Sequence, residues 1–266
     1  MHRSIVLLFT AFLLLALNSC YERQEACTDI NAVNFNPLAD DPCCCNYPAL
    51  TLQLQHRYGA DSIRFFADST YLLDSGTPFK VLSFEFLADE LILIRENGEQ
   101  IRVEEEIAFV NNSIENCPCI DDVFSVNLTA LNTSPGTFSK PGAIQSIKFS
   151  SGLSEKWSEV APADYPSGHP LALETRYDFE AEKYRHFLAT VVFPETADTF
   201  RIRTSNLRSE LIFEGPFELF KAQNTTLTLR IDYQKLLGRL DEVISDPLLT
   251  EELIRENLKD ALKLFQ

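Results

Sequence analysis

The chain has little of what a metal centre or an enzyme usually needs. It holds one methionine, the initiator, one tryptophan and four histidines in 266 residues. Beyond the first twenty residues, a metal site can draw only on His56, His169 and His186, together with cysteines and carboxylates. The sequence also lacks a nucleophile elbow, a phosphate-binding loop, a dinucleotide fingerprint and an HExxH motif. We therefore expect a protein that is not an enzyme.

Basic residues are scarce relative to acidic ones. The chain has 23 Lys and Arg residues against 39 Asp and Glu residues, which gives a formal net charge of −16. A surface of this sign repels phosphate backbones and anionic headgroups, so we expect no nucleic-acid partner. The acidic runs at 104–106 and 121–122 are expected to be solvated loops and strand ends. Binding of a divalent cation is the alternative.

Long apolar runs are missing except near the N-terminus. Arg3 precedes an apolar run over 5–17. This run is too short to span a bilayer, which takes about 20 residues, but it fits a secretory signal peptide over 1–19. The run ends in Leu-Asn-Ser-Cys, which resembles a bacterial lipobox with Cys20 as the lipidation site. We expect an exported protein that meets the membrane through this lipid. The alternative is an ordinary signal peptide with a chance cysteine.

Six further cysteines fit an oxidising compartment, in which disulfides form. Their even number favours three disulfides, and the sequence alone does not choose among the pairings. The alternative is a thiolate cluster for a soft metal, because the central triplet and the later Cys-Pro-Cys pair could approach one another. The six are Cys27, Cys43, Cys44, Cys45, Cys117 and Cys119.

Residues 20–48 hold few apolar side chains and many Asn, Asp and Cys residues. We expect them to form a disulfide-stapled tether without a core of its own. The motifs Cys-Thr-Asp, Asn-Phe-Asn-Pro, Asp-Asp and Cys-Asn-Tyr within 27–47 resemble a short repeat of secreted and surface bacterial proteins. The Asn and Asp side chains are expected to form Asx turns, since their spacing fails the EF-hand pattern for calcium.

The resemblance to this repeat also implies one disulfide. The outer cysteines of the repeat are bonded to each other, which implies a bridge between Cys27 and Cys45. Cys43 and Cys44 depart from the repeat and are left to reach the Cys-Pro-Cys pair at 117–119.

From residue 50 onward the dominant period is two, which predicts strands with one buried face. Many short strands with Gly and Pro turn signals between them predict an all-β fold, an antiparallel β-sandwich over 49–266. After Asp246 and Pro247, leucines at helical spacing predict an amphipathic C-terminal helix over 247–265. The predicted strands lie within 50–56, 79–86, 91–94, 123–128, 143–149, 184–193, 199–203, 211–213 and 226–233.

The three histidines have different settings in this pattern. His56 is in phase with the apolar residues of the first strand and is expected to point inward, and His186 lies in phase with Tyr184 and Leu188. His169 lies in a turn-rich segment. Each alone is expected to be a hydrogen-bonded structural residue. Two or three imidazoles that converge at one end of the sandwich would suit copper or zinc.

A series of short motifs follows in order over 50–266. Their order and spacing resemble those of the MbnP-like proteins, which are exported bacterial β-sandwich proteins related to a copper-binding partner of methanobactin operons. The motifs are His-Arg-Tyr-Gly at 56–59, a long apolar strand at 79–87, Pro-Gly-Thr-Phe at 135–138, His-Pro-Leu at 169–171, and the closing strand and helix at 231–237 and 257–265.

The resemblance implies the sandwich fold, a Gram-negative cell envelope location and copper binding. Because Cu(I) accepts two or three imidazole ligands, His56 with His169 or His186 would suffice to hold it. The chain departs from the family where copper-binding members carry a Trp-rich segment, since its only tryptophan, Trp157, lies upstream of His-Pro-Leu. Two hypotheses follow. The first is a lipid-anchored copper-binding protein of the outer membrane, on its periplasmic or surface face, and the second is a surface binding or structural module whose metal site has decayed. Neither identifies a protein partner.

Overall fold

The computed structural model describes residues 22–110, 120–157 and 160–266. The predicted signal peptide over 1–19, the lipidation site Cys20, and the pair Cys117 and Cys119 lie outside these residues. The expected all-β class is confirmed, because strands outnumber helices in the described chain and most of these strands belong to two β-sheets.

The strands and helices are numbered in chain order. The helices are α1 (Tyr233–Leu237), α2 (Leu240–Val243) and α3 (Pro247–Ala261), and 3₁₀ turns lie at Glu155–Trp157, Pro162–Asp164, Pro170–Ala172 and Glu174–Arg176. The strands are β1 (Glu25–Ala26), β2 (Asp41–Pro42), β3 (Ala49–Tyr58), β4 (Ile63–Arg64), β5 (Tyr71–Leu72), β6 (Pro78–Ile94), β7 (Gln100–Arg102), β8 (Glu105–Glu106), β9 (Ile120–Asp121), β10 (Phe124–Asn127), β11 (Asn132–Thr137), β12 (Gly142–Ser151), β13 (Tyr177–Asp178), β14 (Lys183–Tyr184), β15 (Phe187–Phe193), β16 (Asp198–Thr204), β17 (Ser209–Leu219), β18 (Thr225–Asp232) and β19 (Leu262–Phe265).

The first sheet is built around β6. Its main path runs β16-β15-β6-β12-β17, and β5, β7 and β10 also pair with β6. The runs predicted at 79–86 and 91–94 are a single strand of 17 residues. The strand bends where they meet, because the register against β12 shifts beside Asp89 and because Glu90 has a φ of 56°. A bulge of this kind lets one strand continue through a local kink.

The second sheet runs β11-β3-β18-β19, with β4 also paired to β3. β3 and β18 are parallel, from Leu50 opposite Thr225 to Arg57 opposite Asp232. The sequence predicts an antiparallel sandwich. The sandwich is antiparallel except for this one parallel pair among the strands that the structure describes. The alternation of apolar and polar residues determines which face of a strand is buried, and it leaves the direction of the neighbouring strand open.

One hydrophobic core fills the space between the two sheets. Leu50 and Leu52 of β3 and Phe84 and Phe86 of β6 belong to it, and each is at most 2% exposed. Burial of these apolar side chains is the main stabilising contribution, about 1.5–3 kcal/mol for each fully buried large side chain. Helix α3 covers this core with a buried face that includes Ile254.

The C-terminal helix is shorter than predicted. It begins as expected, with Pro247 at its first position and with the Asp246 carboxylate accepting hydrogen bonds from the N–H groups of Leu248 and Leu249. The prediction over 247–265 was wrong at the end, where residues 262–265 form β19 and pair antiparallel with β18. Leu262 and Leu264 are buried while Lys263 and Phe265 are exposed, so these leucines fit period two as well as a helical stripe.

Residues 22–48 carry short turns and one small parallel pair, β1 with β2. The disulfide between Cys27 and Cys45 is confirmed. The expected Asx turns are present, since the Asp29 side chain accepts a hydrogen bond from the Asn31 N–H at 2.9 Å. Cys43 is bonded to Cys44 instead of reaching the pair at 117–119, and the Cys44 backbone is left-handed, with a φ of 47°.

A second hydrophobic cluster lies beside the first sheet. The 3₁₀ turns between residues 155 and 176 fold back on β6 and bury Trp157, Leu171 and Tyr184. The Arg176 guanidinium joins this segment to β6, because it is buried and pairs with the Glu85 carboxylate. This second cluster covers the region around His169.

Candidate functional site

His169 is held by hydrogen bonds at both ring nitrogens. Its Nδ1 accepts from the Leu171 N–H at 3.1 Å, and its Nε2 lies 3.0 Å from an Asp121 carboxylate oxygen. The ring also stacks on Tyr165, with centroids 4.5 Å apart. Because Nδ1 accepts, the proton of the neutral ring lies on Nε2 and is donated to Asp121. Neither nitrogen is left for a metal or for proton transfer.

The acidic run at 121–122 is buried, which corrects the expectation of a solvated strand end. Asp121 is 5% exposed and also accepts a hydrogen bond from the Val123 N–H at 2.9 Å. Asp122 is 4% exposed and pairs with Lys156 at 2.8 Å. The segment that follows β12 covers both carboxylates, and it supplies their partners. Buried carboxylates need such partners because the charge loses its hydration.

A cavity of about 530 Å³ borders the Asp121–His169 pair. Burial, and then the Asp121 charge, raise the pKa of Glu105 in its wall, and His169 opposes this shift. The Ser134 hydroxyl in the same wall donates to the Leu50 carbonyl at 3.2 Å. Since His169 has no free nitrogen, this hydroxyl has no imidazole base to activate it.

His186 lies between strands of the first sheet. Its backbone N–H donates to the Thr204 carbonyl, and its carbonyl accepts from the Leu87 N–H. The ring is packed against Gly152, where an added Cβ would lie 2.7 Å from Nδ1. Burial lowers the pKa of His186 to about 4, and the charges of Arg208 and Lys183 act in the same direction. The imidazole is therefore neutral at pH 7.

His56 lies near the end of β3 and faces the core, as its strand phase predicts. Its Nδ1 is 2.9 Å from the hydroxyl of Tyr233, the first residue of α1. Burial lowers the pKa of His56 to about 4, with a smaller contribution from Arg64. The carbonyls of Ala130 and Asn127 oppose this shift, although neither completes a hydrogen bond with Nε2.

The structure does not bring the three histidines together. His56 contacts Tyr233, His169 contacts Asp121, and His186 packs on Gly152. Over 22–110, 120–157 and 160–266, no group of three or more His, Cys, Asp or Glu side chains is placed to hold a metal ion. The three histidines therefore do not form one metal site within these residues.

A second cavity, of about 280 Å³, adjoins His56. Its wall includes Arg57, Arg64 and Phe66, and we call it the edge cavity because it lies along the edge of β3. Neither arginine was predictable as a site residue from the sequence, since they are 7 positions apart across a turn and no motif joins them. The inward orientation of Tyr233 was predictable from the sequence, because it continues the inward phase of Leu229 and Ile231 in β18.

Comparison with known proteins adds little. No protein-family model matches the chain, and none of the curated proteins does. Among solved structures, MbnP from Methylosinus trichosporium is similar over 72% of this chain and 78% of that chain, with 13% sequence identity and a TM-score of 0.45. A likeness this weak carries no argument about ligands or activity. Within the part of the chain that the structure describes, no helix is long and apolar enough to cross a membrane.

Proposed function

We propose that the protein is a lipid-anchored, non-enzymatic binding or structural module of the Gram-negative cell envelope. In this proposal the histidines stabilise the fold and do not form a copper site. The observation that carries it is that both ring nitrogens of His169 already form hydrogen bonds, one with Leu171 and one with Asp121. The separation of His56 and His186 from this pair supports the same conclusion, because copper needs converging ligands.

Two features support export and anchoring. The Cys27–Cys45 disulfide is typical of an oxidising compartment outside the cytosol. The Leu-Asn-Ser-Cys sequence at 17–20 ends the signal peptide where a lipid-bearing cysteine is expected. A triacylated N-terminus supplies more than the two hydrophobic signals that stable anchoring requires.

Anchoring is tested by fractionating cells that express the Cys20→Ala variant of the full chain. We expect wild type in the membrane pellet and the variant in the soluble fraction. Cys43→Ala is the matched control, since it also removes one cysteine but keeps the lipobox. A Cys20→Ala variant that stays in the membrane pellet would contradict the lipid anchor.

The role of the histidines is tested by titrating the mature chain with Cu(I) against a competing chelator. The titration is anaerobic and free of thiol reductant, so that the disulfides stay closed. We expect no stoichiometric copper in wild type or in His56→Ala. One tightly bound equivalent that His56→Ala abolishes would restore the copper hypothesis.

A further inference from the structure

The edge cavity exists because β3 lacks a strand along part of one edge. β11 pairs with β3 only as far as Gln53, and β4 joins the same edge only from Arg57 onward. Residues 54–56 between them are bordered by the loop at 128–131 and by Phe65, and the cavity opens there. Neighbouring segments pair part of this edge, because the Leu54 N–H donates to the Leu131 carbonyl at 2.8 Å and the His56 carbonyl accepts from the Phe65 N–H at 3.0 Å. The gap still leaves room that a side chain of a paired strand would otherwise fill.

Two arginines without acidic partners line this cavity. Arg57 and Arg64 are directly opposite each other in the β3–β4 register, where like charges destabilise the pair. Neither forms an ion pair with another described residue, although acidic residues outnumber basic ones in the chain. Asp232, which is in register with Arg57 on β18, accepts hydrogen bonds from the N–H groups of Gly59 and Gln234. Within the described ranges, neither guanidinium therefore has a carboxylate at ion-pair distance.

Arg64 is held in place by its neighbour. Its guanidinium carbon lies 5.0 Å from the centroid of the Phe66 ring. This cation–π contact orients a planar group that can donate two parallel hydrogen bonds. Phe66 itself is 51% exposed, and Leu131 across the cavity is 71% exposed. The arginines therefore stand beside an apolar rim that water does not stabilise.

His56 lies in the wall of the cavity and contacts Tyr233 through Nδ1. Tyr233 is fully buried, and His56 Nδ1 is its one hydrogen-bond partner among the described residues. We assign the hydroxyl as the donor, because a buried hydroxyl needs an acceptor for its proton. The proton of the neutral imidazole is then on Nε2, which is buried and forms no hydrogen bond with another described residue. His56 therefore presents no exposed donor to the cavity.

We propose that the edge cavity binds a small monocarboxylate with an apolar body. The carboxylate would take the place of the missing counter-charge between Arg57 and Arg64, and the apolar body would lie on Leu54, Phe66 and Leu131. A carboxylate matches the arginine fork in its plane. It also carries one charge, and the net charge of −16 repels anions of higher charge. A volume of about 280 Å³ suits a ligand the size of benzoate.

This inference names a ligand class for the proposed binding module. It rests on the proposed function in one respect, which is that His56 beside the cavity holds no metal. The test is calorimetric titration of the mature chain with benzoate at low salt, with inorganic phosphate as a second ligand. We expect one saturable benzoate site. Arg57→Ala and Arg64→Ala should each weaken it roughly tenfold or more, the effect of losing a charge-assisted hydrogen bond. Arg203→Ala is the control, since Arg203 is an exposed strand arginine outside the cavity.

Two results would overturn the site. One is the absence of saturable benzoate binding, and the other is binding that neither arginine variant weakens while both variants keep the wild-type melting temperature. Phosphate that binds as tightly as benzoate would overturn the choice of a monocarboxylate. A parallel Cu(I) titration tests the proposed function separately. Only copper binding that is lost in His56→Ala would contradict the proposed function, whatever the result with benzoate.

Discussion

The hydroxyl of Tyr233 lies 2.9 Å from Nδ1 of His56. This contact joins the end of β3 to α1, the helix that follows β18. The Tyr233 ring is stacked on Phe65 with centroids 3.9 Å apart, so the tyrosine is fixed on both its ring and its hydroxyl. His56 is therefore part of the core that holds β3 and β18 together.

Removing the Tyr233 hydroxyl should destabilise the fold without disturbing ring packing. Tyr233→Phe leaves a buried imidazole nitrogen without its partner, and we expect a loss of about 1–2 kcal/mol in the free energy of unfolding. Urea denaturation measures this loss. The ¹⁵N chemical shifts of His56 should also move, because the hydroxyl no longer holds the proton on Nε2. Unchanged shifts and an unchanged urea midpoint would contradict the contact.

Acidification should destabilise the protein through its buried histidines. The pKa of His186 falls from about 6.5 in the unfolded chain to about 4 in the folded protein. The unfolded chain therefore binds a proton more readily, so stability is full above pH 6.5 and is lost as pH falls toward 4. We expect His186 to cost about 2 kcal/mol between pH 7 and pH 5.

The matched variant for this pH effect is His186→Gln. Its free energy of unfolding should fall less than that of wild type between pH 7 and pH 5. Asp89 and Glu105, whose pKa values are raised mainly by burial, titrate with the opposite sign in both proteins and cancel in the comparison. Parallel curves for the two proteins would refute the assignment.

The Asp121–His169 pair should be coupled energetically. His169→Ala leaves the Asp121 carboxylate buried with only the Val123 N–H, and we expect a loss of about 1–3 kcal/mol. Asp121→Ala and the double variant complete the cycle. The double variant should lose less than the sum of the two single losses. Additive losses in urea unfolding would show that the contact contributes nothing.

The Cys27–Cys45 disulfide should stabilise the N-terminal segment. It closes a loop with a sequence separation of 18 residues, for which chain entropy gives about 3 kcal/mol. In the Cys27→Ala, Cys45→Ala double variant, amide hydrogen exchange over 22–48 should speed up while exchange in β6 and β12 stays slow. Peptide mapping without reductant that finds Cys27 linked to any other cysteine would contradict the pairing.

The sequence could predict the strands because their apolar residues alternate. In β3 and β18 the alternation determines the buried face, and it even places His56 and Tyr233 inward. It could not predict that the two strands are parallel, because alternation is the same in either direction. The residue at which α3 ends was also not predictable from the sequence, since Leu258 and Leu262 fit a helical stripe while Leu262 and Leu264 fit a strand.

The candidate sites depend on contacts between distant segments, which one sequence does not reveal. From the sequence alone, Asp121 is expected to be a surface acid. In the fold, the 3₁₀ turns place His169, which is 48 residues later in the chain, against it. The Cys27–Cys45 bridge was predictable only through the resemblance of its flanking motifs to a known repeat. The opposed pair Arg57 and Arg64 follows from a strand register that the turn between them sets.

The central claim is that the histidines stabilise the fold and hold no copper. It is tested most directly by the metal content of the full chain, extracted in detergent from its native envelope and measured by inductively coupled plasma mass spectrometry. The account predicts copper well below one atom per chain, with the same value in His56→Ala. One copper atom per chain in wild type, absent from His56→Ala, would contradict it.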